Sequence, residues 1–242
     1  MSLSIEDRVK TFIPWYYAYK IAKVKRSNEP ELGILRDLVR PGCTAIDVGA
    51  NRGFYSYALA QVADRVEAFE PNPALARFAR RKLGSKVHIH EVALADREGR
   101  ERFYVPQDRR GFDHHLGGNL GKFHCTPRCA EYDVRVATLD SFGFDQVGFI
   151  KIDAEGSEIG VIKGATQTIA RCRPNLVVEL LVGWHESRAA IEAVTALIPY
   201  TPLILVGGMR INAFEALSSA PFPIKTANVL FVPNATPSAQ SN

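Results

Sequence analysis

The chain has 242 residues, 46% of them apolar, and a formal net charge of +4 from 30 basic and 26 acidic side chains. That length and apolar content suffice for one large folded domain without disulfide or metal staples, and the positive excess falls short of a nucleic-acid-binding tail, so no nucleic-acid partner is expected. Four scattered cysteines, Cys43, Cys125, Cys129 and Cys172, exclude a secreted disulfide framework and fit a reducing cytoplasm, while no run of about 18 apolar residues is present to span a bilayer.

Residues 1–30 predict an N-terminal helical cap. Between Val9 and Arg26, aromatic side chains mix with five basic ones. Two arrangements share that pattern: a helix docked on the domain by its apolar face, and a helix in peripheral contact with a membrane surface. The docked helix is the preferred reading, because a basic face most often means only solvation.

From Thr44 to Val48 a short β-forming run leads into Gly49-Ala50-Asn51-Arg52-Gly53, and Phe54, Tyr57, Ala58 and Val62 follow at helical spacing. Strand, tight loop and helix are expected. Small residues at Gly49, Ala50 and Gly53 allow backbone to approach a ligand closely. The next run, Arg65 to Glu70, ends in a carboxylate able to accept both hydroxyls of a ribose, after which Pro71 stops the strand and Ala74 to Leu83 reads as a helix. The loop lacks the G-x-G-x-x-G spacing of a dinucleotide site and carries Asp47 just before its glycines. A carboxylate there repels phosphate and suits an ammonium, which points to S-adenosylmethionine, a ligand with ribose and amine but no phosphate.

Further strands are expected at about 86–92, 148–153, 175–181, 202–206 and 227–232, alternating with helices until the last pair. This pattern predicts an α/β domain with a Rossmann-like, doubly wound, mostly parallel sheet, closed by an antiparallel hairpin without a helix before its last strand. Residues 106–132 are polar, glycine-rich and too long for a turn, which marks a substrate-loop insertion. The polar tail, 233–242, is expected to be disordered. Phe149 to Asp153 runs into Glu155, Gly156 and Glu158, and Ile159, Ile162, Ala165 and Ile169 then mark one helix.

Four ordered segments carry a family resemblance: DVGANRGFYS at Asp47 to Ser56, VEAFEPNP at Val66 to Pro73, EVALADREG at Glu91 to Gly99, and KIDAEGSEIGVIKGA at Lys151 to Ala165, with RPNLVVEL following at Arg173 to Leu180. The chain resembles the FkbM-type family of S-adenosylmethionine-dependent methyltransferases. That resemblance implies a class I methyltransferase domain over residues 31–232, a seven-stranded sheet, and ligands at the carboxyl ends of the strands. On this reading Asp47, Gly49, Asn51 and Gly53 shape the methionine side, Glu70 the ribose, and Ala93, Leu94 and Asp96 the adenine, with Ala50, Tyr55, Ser56, Pro71, Asn72 and Asp153 also expected to bind the cofactor. The resemblance also implies an alcohol acceptor.

A hydroxyl must lose its proton as it attacks a methyl group, so a base is needed beside it. Asp153 and Glu155 leave the fourth main strand, where the transferable methyl must lie, and are the leading candidates as base or as clamps on the acceptor. With Glu179 they are also a set that can hold a divalent cation. The competing reading has Glu155 or Glu158 complementing the next helix N-terminus, with Ser157 as its cap. His114 and His115 in the insertion are the other candidate bases. His124, Cys125 and Cys129 look only superficially like a metal half-site. His88 and His90 share one side of a strand, which suits packing, and His185 is close to the expected rim.

Amino-group methyltransferases often carry Asn/Asp-Pro-Pro-Tyr after this strand, and here the segment is Asp153-Ala154-Glu155-Gly156. The reading is therefore a cytoplasmic S-adenosylmethionine-dependent O-methyltransferase acting on a hydroxyl of a sugar, glycan or polyketide-type metabolite. The alternatives are N-methylation of a small molecule or protein, and a non-catalytic cofactor-binding module.

Overall fold

Burial on both faces decides which apolar runs become central strands. In the computed structural model, which describes residues 29–107, 119–120, 128–180, 184–206, 208–218 and 228–235, the strand β8 (Val147–Ile152) is buried at every position. Its neighbour β1 (Thr44–Val48) is buried at all but its first residue. Such runs belong in the middle of a parallel sheet with helices on both sides. Parallel pairing extends outward from this centre, through β2 (Arg65–Phe69) to β3 (Val87–His90) on one side and to β9 (Asn175–Glu179) on the other.

Beyond β9 the sheet turns antiparallel. β12 (Asn228–Pro233) lies between β9 and β10 (Tyr200–Val206) and opposes both, and β11 (Met209–Asn212) closes the edge against β10. The order is β11-β10-β12-β9-β8-β1-β2-β3, eight strands rather than the expected seven. All seven expected strands are present. The extra one arises because Met209–Asn212 folds straight back on β10, and a short helix (Ala213–Ser218) then precedes β12 where none was expected.

Strand alternation sorts the core into two layers. Ala45, Phe149, Val177 and Leu230 face Leu32, Leu35 and Leu38 of the segment before β1 and Leu59 of the helix α2 (Phe54–Leu59), which follows the short helix α1 (Leu35–Leu38). Ile46, Ile150, Val178 and Phe231 face Val161, Ile169, Ile191 and Val194. The helix expected from Ile159 to Ile169 is two, Glu158–Lys163 and Thr166–Cys172. The break falls at Gly164, where the Ala95 carbonyl comes so close that an added Cβ would lie 2.0 Å from its oxygen.

The described part of the insertion is sheet, not open loop. β4 (Ala93–Leu94), β7 (Cys129–Ala137), β5 (Gly99–Pro106) and β6 (Asn119–Leu120) form a second, four-stranded sheet in that order. Phe103, Val105, Val134 and Val136 make its buried face, while Arg100 with Asp133 and Arg102 with Glu131 pair across its exposed face. Cys43 and Cys172 are free thiols, but Cys129 is disulfide-bonded, contrary to the expectation of reduced cysteines, and so its sulfur is no metal ligand.

The N-terminal cap and its membrane contact, His114, His115, His124 and Cys125 lie outside the described residues. Among those described, no helix is long and apolar enough to cross a membrane. The expected disordered tail begins too early, because Pro233 ends β12 and Thr201 Oγ1 donates to Asn234 Oδ1 at 2.7 Å.

Candidate active site

The carboxyl ends of β1, β2 and β8 open into a cleft of about 800 Å³, counting its solvent-filled mouth. Its floor holds Gly49 and Asn51 of the β1–α2 loop. One wall is Glu70, Pro71, Asn72 and Leu75, and the opposite end is Asp153, Ala154, Glu155 and Ser157. Ala93 and Leu94 line the far end, covered by Phe103, Val105 and Leu120 of the second sheet.

Glu70 is 5% exposed, and its two oxygens accept the backbone N–H groups of Asn51, at 2.7 Å, and Asn72, at 2.8 Å. Each oxygen keeps another lone pair for a ligand hydroxyl. Burial pushes this carboxyl up to about 7, against those two N–H bonds. Asn72 in turn caps the helix α3 (Pro73–Lys82), accepting from the N–H groups of Ala74 and Leu75, with Pro73 in the first turn. An acid and a capped helix start therefore fix the wall between them.

The loop after β1 gives its donors to the protein, not to a ligand. Gly49 and Ala50 both donate to the Phe69 carbonyl, Asn51 donates to Glu70, and Gly53 donates to Ala50. A phosphate would find none of these N–H groups unpaired. Small residues are needed here for a different reason: a Cβ on Gly49 would lie 1.8 Å from the Asp153 carbonyl oxygen, and one on Gly53 would lie 2.5 Å from Leu83 Cδ1.

Asp153 to Ser157 form a strained turn. Glu155, with φ of 48°, and Gly156, with φ of 96°, are both left-handed, and Asn51 across the cleft has φ of 52°. Left-handed non-glycine residues carry strain that persists where surroundings enforce it. Glu158 enforces it here: its Oε1 accepts from Ala154 N and Gly156 N, both at 3.0 Å. Ser157 makes no capping bond, so the turn is held by Glu158 and not by the serine cap of the competing reading. A family model, the methyltransferase FkbM domain, matches residues 47–199, from the end of β1 through the helix after β9.

The chain belongs to the FkbM methyltransferase family. Among curated relatives it is similar to the 2-O-methyltransferase NoeI of Sinorhizobium fredii, 23% identical over an alignment of 218 residues that covers 84% of this chain and 88% of that one. Among solved structures it is similar to the FkbM methyltransferase of Methylobacillus flagellatus KT, with a TM-score of 0.54 and 17% identity over 91% of this chain. The match spans half of that longer chain and shows the shared fold.

In this methyltransferase the cleft brings together Gly49, Asn51, Glu70, Pro71, Asn72, Ala93, Leu94, Asp153 and Glu155 of the residues expected from sequence. It does not bring Asp47. That carboxylate is 1% exposed and accepts from Ser56 Oγ at 2.5 Å, because alternation along β1 points it under α2. Ser56 is engaged there too, and Tyr55 stacks on Phe149 in the core. Ala50 is buried in the fold, and Gly53 is used to start α2. Asp96 is on the surface, paired with Arg97 at 2.9 Å.

Sequence reasoning missed Phe103, Val105 and Leu120. The alternation Phe103, Val105 within an otherwise charged strand was the available signal. His90 packs against Phe69 and contacts Glu67 at 2.6 Å, in keeping with a packing role. Nothing is described of the His185 side chain. Among the described residues, no group of three or more His, Cys, Asp or Glu side chains is placed to hold a metal ion, and the divalent-cation alternative gains no support.

Burial raises three acids at or beneath the site: Asp47 to about 6, and Glu31 and Glu70 to about 7 each. All three hold their protons more tightly folded than unfolded. Their contribution to stability is complete below the unfolded values, near 4, and is lost as the pH rises through 6 and 7. Thermal melts of the ligand-free protein are expected to show Tm falling by several degrees between about pH 5 and pH 8, and a rising Tm in that window would contradict the burial argument.

Proposed function

We propose that this enzyme is an S-adenosylmethionine-dependent O-methyltransferase acting on a hydroxyl of a sugar or glycan. The observation that carries the reading is Glu70, whose carboxylate is pinned by two backbone N–H groups while still lining the cleft, an arrangement suited to a ribose diol. The absence of unpaired donors among the loop N–H groups named above favours a nucleoside ligand without phosphates over a dinucleotide. Leu75, Leu94, Phe103 and Val105 supply an apolar slot of the kind an adenine requires.

With adenosine so placed, Gly49 and Asn51 would hold the amino-acid portion, and Asp153 and Glu155 would lie at the end of the cleft that receives the acceptor. The protein's first contribution is alignment of acceptor oxygen, methyl carbon and sulfur. Its second is Asp153, which takes the acceptor proton as the oxygen attacks, while Glu155 clamps a neighbouring hydroxyl. An oxygen acceptor is supported by the name of the relative, a 2-O-methyltransferase, and a polyol by acids at the acceptor end of the cleft. His114 and His115 remain candidate contacts from the insertion. Hydroxyls of polyketide-type metabolites are the second acceptor class.

The test is calorimetric titration with S-adenosylmethionine, S-adenosylhomocysteine and NAD, followed by transfer of labelled methyl to a panel of glycosides and hydroxylated macrolides. Both sulfur ligands are expected to bind and NAD is not. In Glu70→Ala, affinity for both should drop by about a hundredfold or more, matching the loss of about two hydrogen bonds to a charged group. Tight binding of NAD, or a Glu70→Ala protein with undiminished affinity, would overturn the cofactor assignment. Methyl recovered on an amine and not on a hydroxyl would overturn the acceptor class.

A further inference from the structure

A buried ammonium lies beneath the acids at the acceptor end of the cleft. Lys151 sits between Ile150 and Ile152 in β8, and its side chain is 4% exposed. Its Nζ stands 3.6 Å from Asp153 Oδ2, donates to the Ile152 carbonyl at 3.4 Å, and lies 5.6 Å from the centre of the Tyr55 ring. Parallel pairing puts Lys151 between Asp47 and Val177. Two residues further along each strand, Asp153 and Glu179 emerge on the same face at adjacent strand ends.

Asp153 and Glu179 therefore stand side by side at the strand ends, where one carboxyl can hydrogen-bond the other when a proton lies between them. That bond, with burial and the Asp153 charge, holds Glu179 up at about 8. Around them stand Glu29 and Glu31 from the segment before α1, Asp47 from β1, Glu155 from the turn and Tyr55 from α2. Burial pulls the Lys151 ammonium toward losing its proton, but Asp153, Glu179, Glu29 and Glu31 outweigh it and hold the group above its ordinary value. The Tyr55 hydroxyl is buried with no hydrogen-bond partner among the described residues.

We propose that the Lys151–Asp153–Glu179 cluster exchanges its shared proton for the positive charge of the methyl donor. With the cleft empty or holding S-adenosylhomocysteine, the cluster keeps one proton on its two carboxyls and is neutral overall. When S-adenosylmethionine binds, the sulfonium takes over the role of that proton, which leaves for solvent. A second positive charge next to a poorly solvated ammonium is unfavourable, and losing the proton removes the excess.

The transfer then restores the first state. The acceptor O–H bond breaks and its proton joins the carboxyl pair through Asp153. The C–O bond forms as the C–S bond breaks, with the bonding electrons staying on sulfur, now a neutral thioether. Charge at the cluster plus sulfur is zero before and after. Asp153 touches the acceptor, whereas Lys151 and Glu179 act through it and are positioning residues. The base is therefore armed only while a methyl group is present to be transferred. This inference rests on the methyl-donor reading of the cleft.

The experiment is calorimetry of the full chain with S-adenosylmethionine and with S-adenosylhomocysteine at about pH 7.5, in phosphate and in Tris, whose protonation enthalpies differ. The ligands share every group except the methyl and its charge. S-adenosylmethionine is expected to release about half a proton or more beyond what its demethylated product releases. In Glu179→Gln that difference should shrink toward zero, while any contribution from the ligands' amino groups persists. Should the variant not fold, wild-type protein at about pH 9.5 serves instead, because the pair has already lost its proton there and the difference should vanish. Equal proton counts for the two ligands at the lower pH, or a difference unchanged in the variant or at the higher pH, would overturn the proposal. Failure of both ligands to bind is a separate outcome that removes the methyl-donor reading along with it.

Discussion

Asp153→Asn is expected to lower the rate of methyl transfer at saturating donor by about 10²–10⁴-fold, the range associated with loss of a positioned base. Asparagine keeps the size of the side chain and its place in the cleft, but it cannot take a proton. Glu70, the proposed ribose anchor, follows β2 on the other side of β1 and is untouched, so S-adenosylhomocysteine should still bind. Lys151, 3.6 Å away, loses its nearest counter-charge, and removing one partner of a buried ion pair costs about 3–5 kcal/mol, a ceiling here because the Asp153 side chain is 39% exposed. Rate, ligand affinity and Tm measured on the same preparation separate these effects. Transfer within about threefold of wild type would exclude Asp153 as the base, and an amine acceptor would explain such tolerance, since its nucleophile needs no base.

Gly49→Ala is the second large effect, and it falls on folding. The added Cβ would lie 1.8 Å from the Asp153 carbonyl oxygen, and the position has φ of 78°. The left-handed conformation alone costs about 1–2 kcal/mol for alanine. The clash adds to it, because neither side can give easily: Asp153 N donates to the Val48 carbonyl at 3.0 Å, and Gly49 N donates to Phe69. A total above about 3 kcal/mol corresponds to a Tm lower by roughly 10 °C in a domain of this size. Gly42→Ala is the internal control, with φ of 74° and nothing within 4 Å of the new carbon. It should show the conformational cost without the clash. Similar melting points for the two variants would mean that backbone conformation, and not close approach, sets the requirement at Gly49.

Much of the fold was legible in the sequence because its cues are local. Ile46, Ile150 and Val178 sit in apolar runs bounded by turns, and a run buried on both faces needs no knowledge of its neighbours to be read as a strand. Glu70 was legible for the same reason: an acid at the end of such a run, stopped by Pro71, marks a strand end in the ribose position. What could not be read depends on which face is covered by what. Asp47 and Glu70 look alike in one dimension, yet alternation puts one under α2 against Ser56 and the other at the cleft. The donors of Gly49 and Ala50 are free or engaged according to where the Phe69 carbonyl lies, a contact across twenty residues. Lys151 carried a signal that went unused: a lysine flanked by isoleucines in a strand buried on both faces requires partners, and two of the acids that hold it charged are Asp153, two residues on, and Glu179, on the next strand.

The engagement of the β1–α2 loop donors also bears on competition among the adenine compounds of the cell. A nucleoside triphosphate carries the same adenine and ribose as the methyl donor, and these parts would meet the same Glu70 wall. Its phosphates would then be directed over Gly49 and Asn51, whose N–H groups are already taken, toward Asp153 and Glu155. Anionic oxygens gain nothing there and are repelled. On the proposed reading of the cleft, a nucleoside triphosphate is expected to compete poorly with the methyl donor.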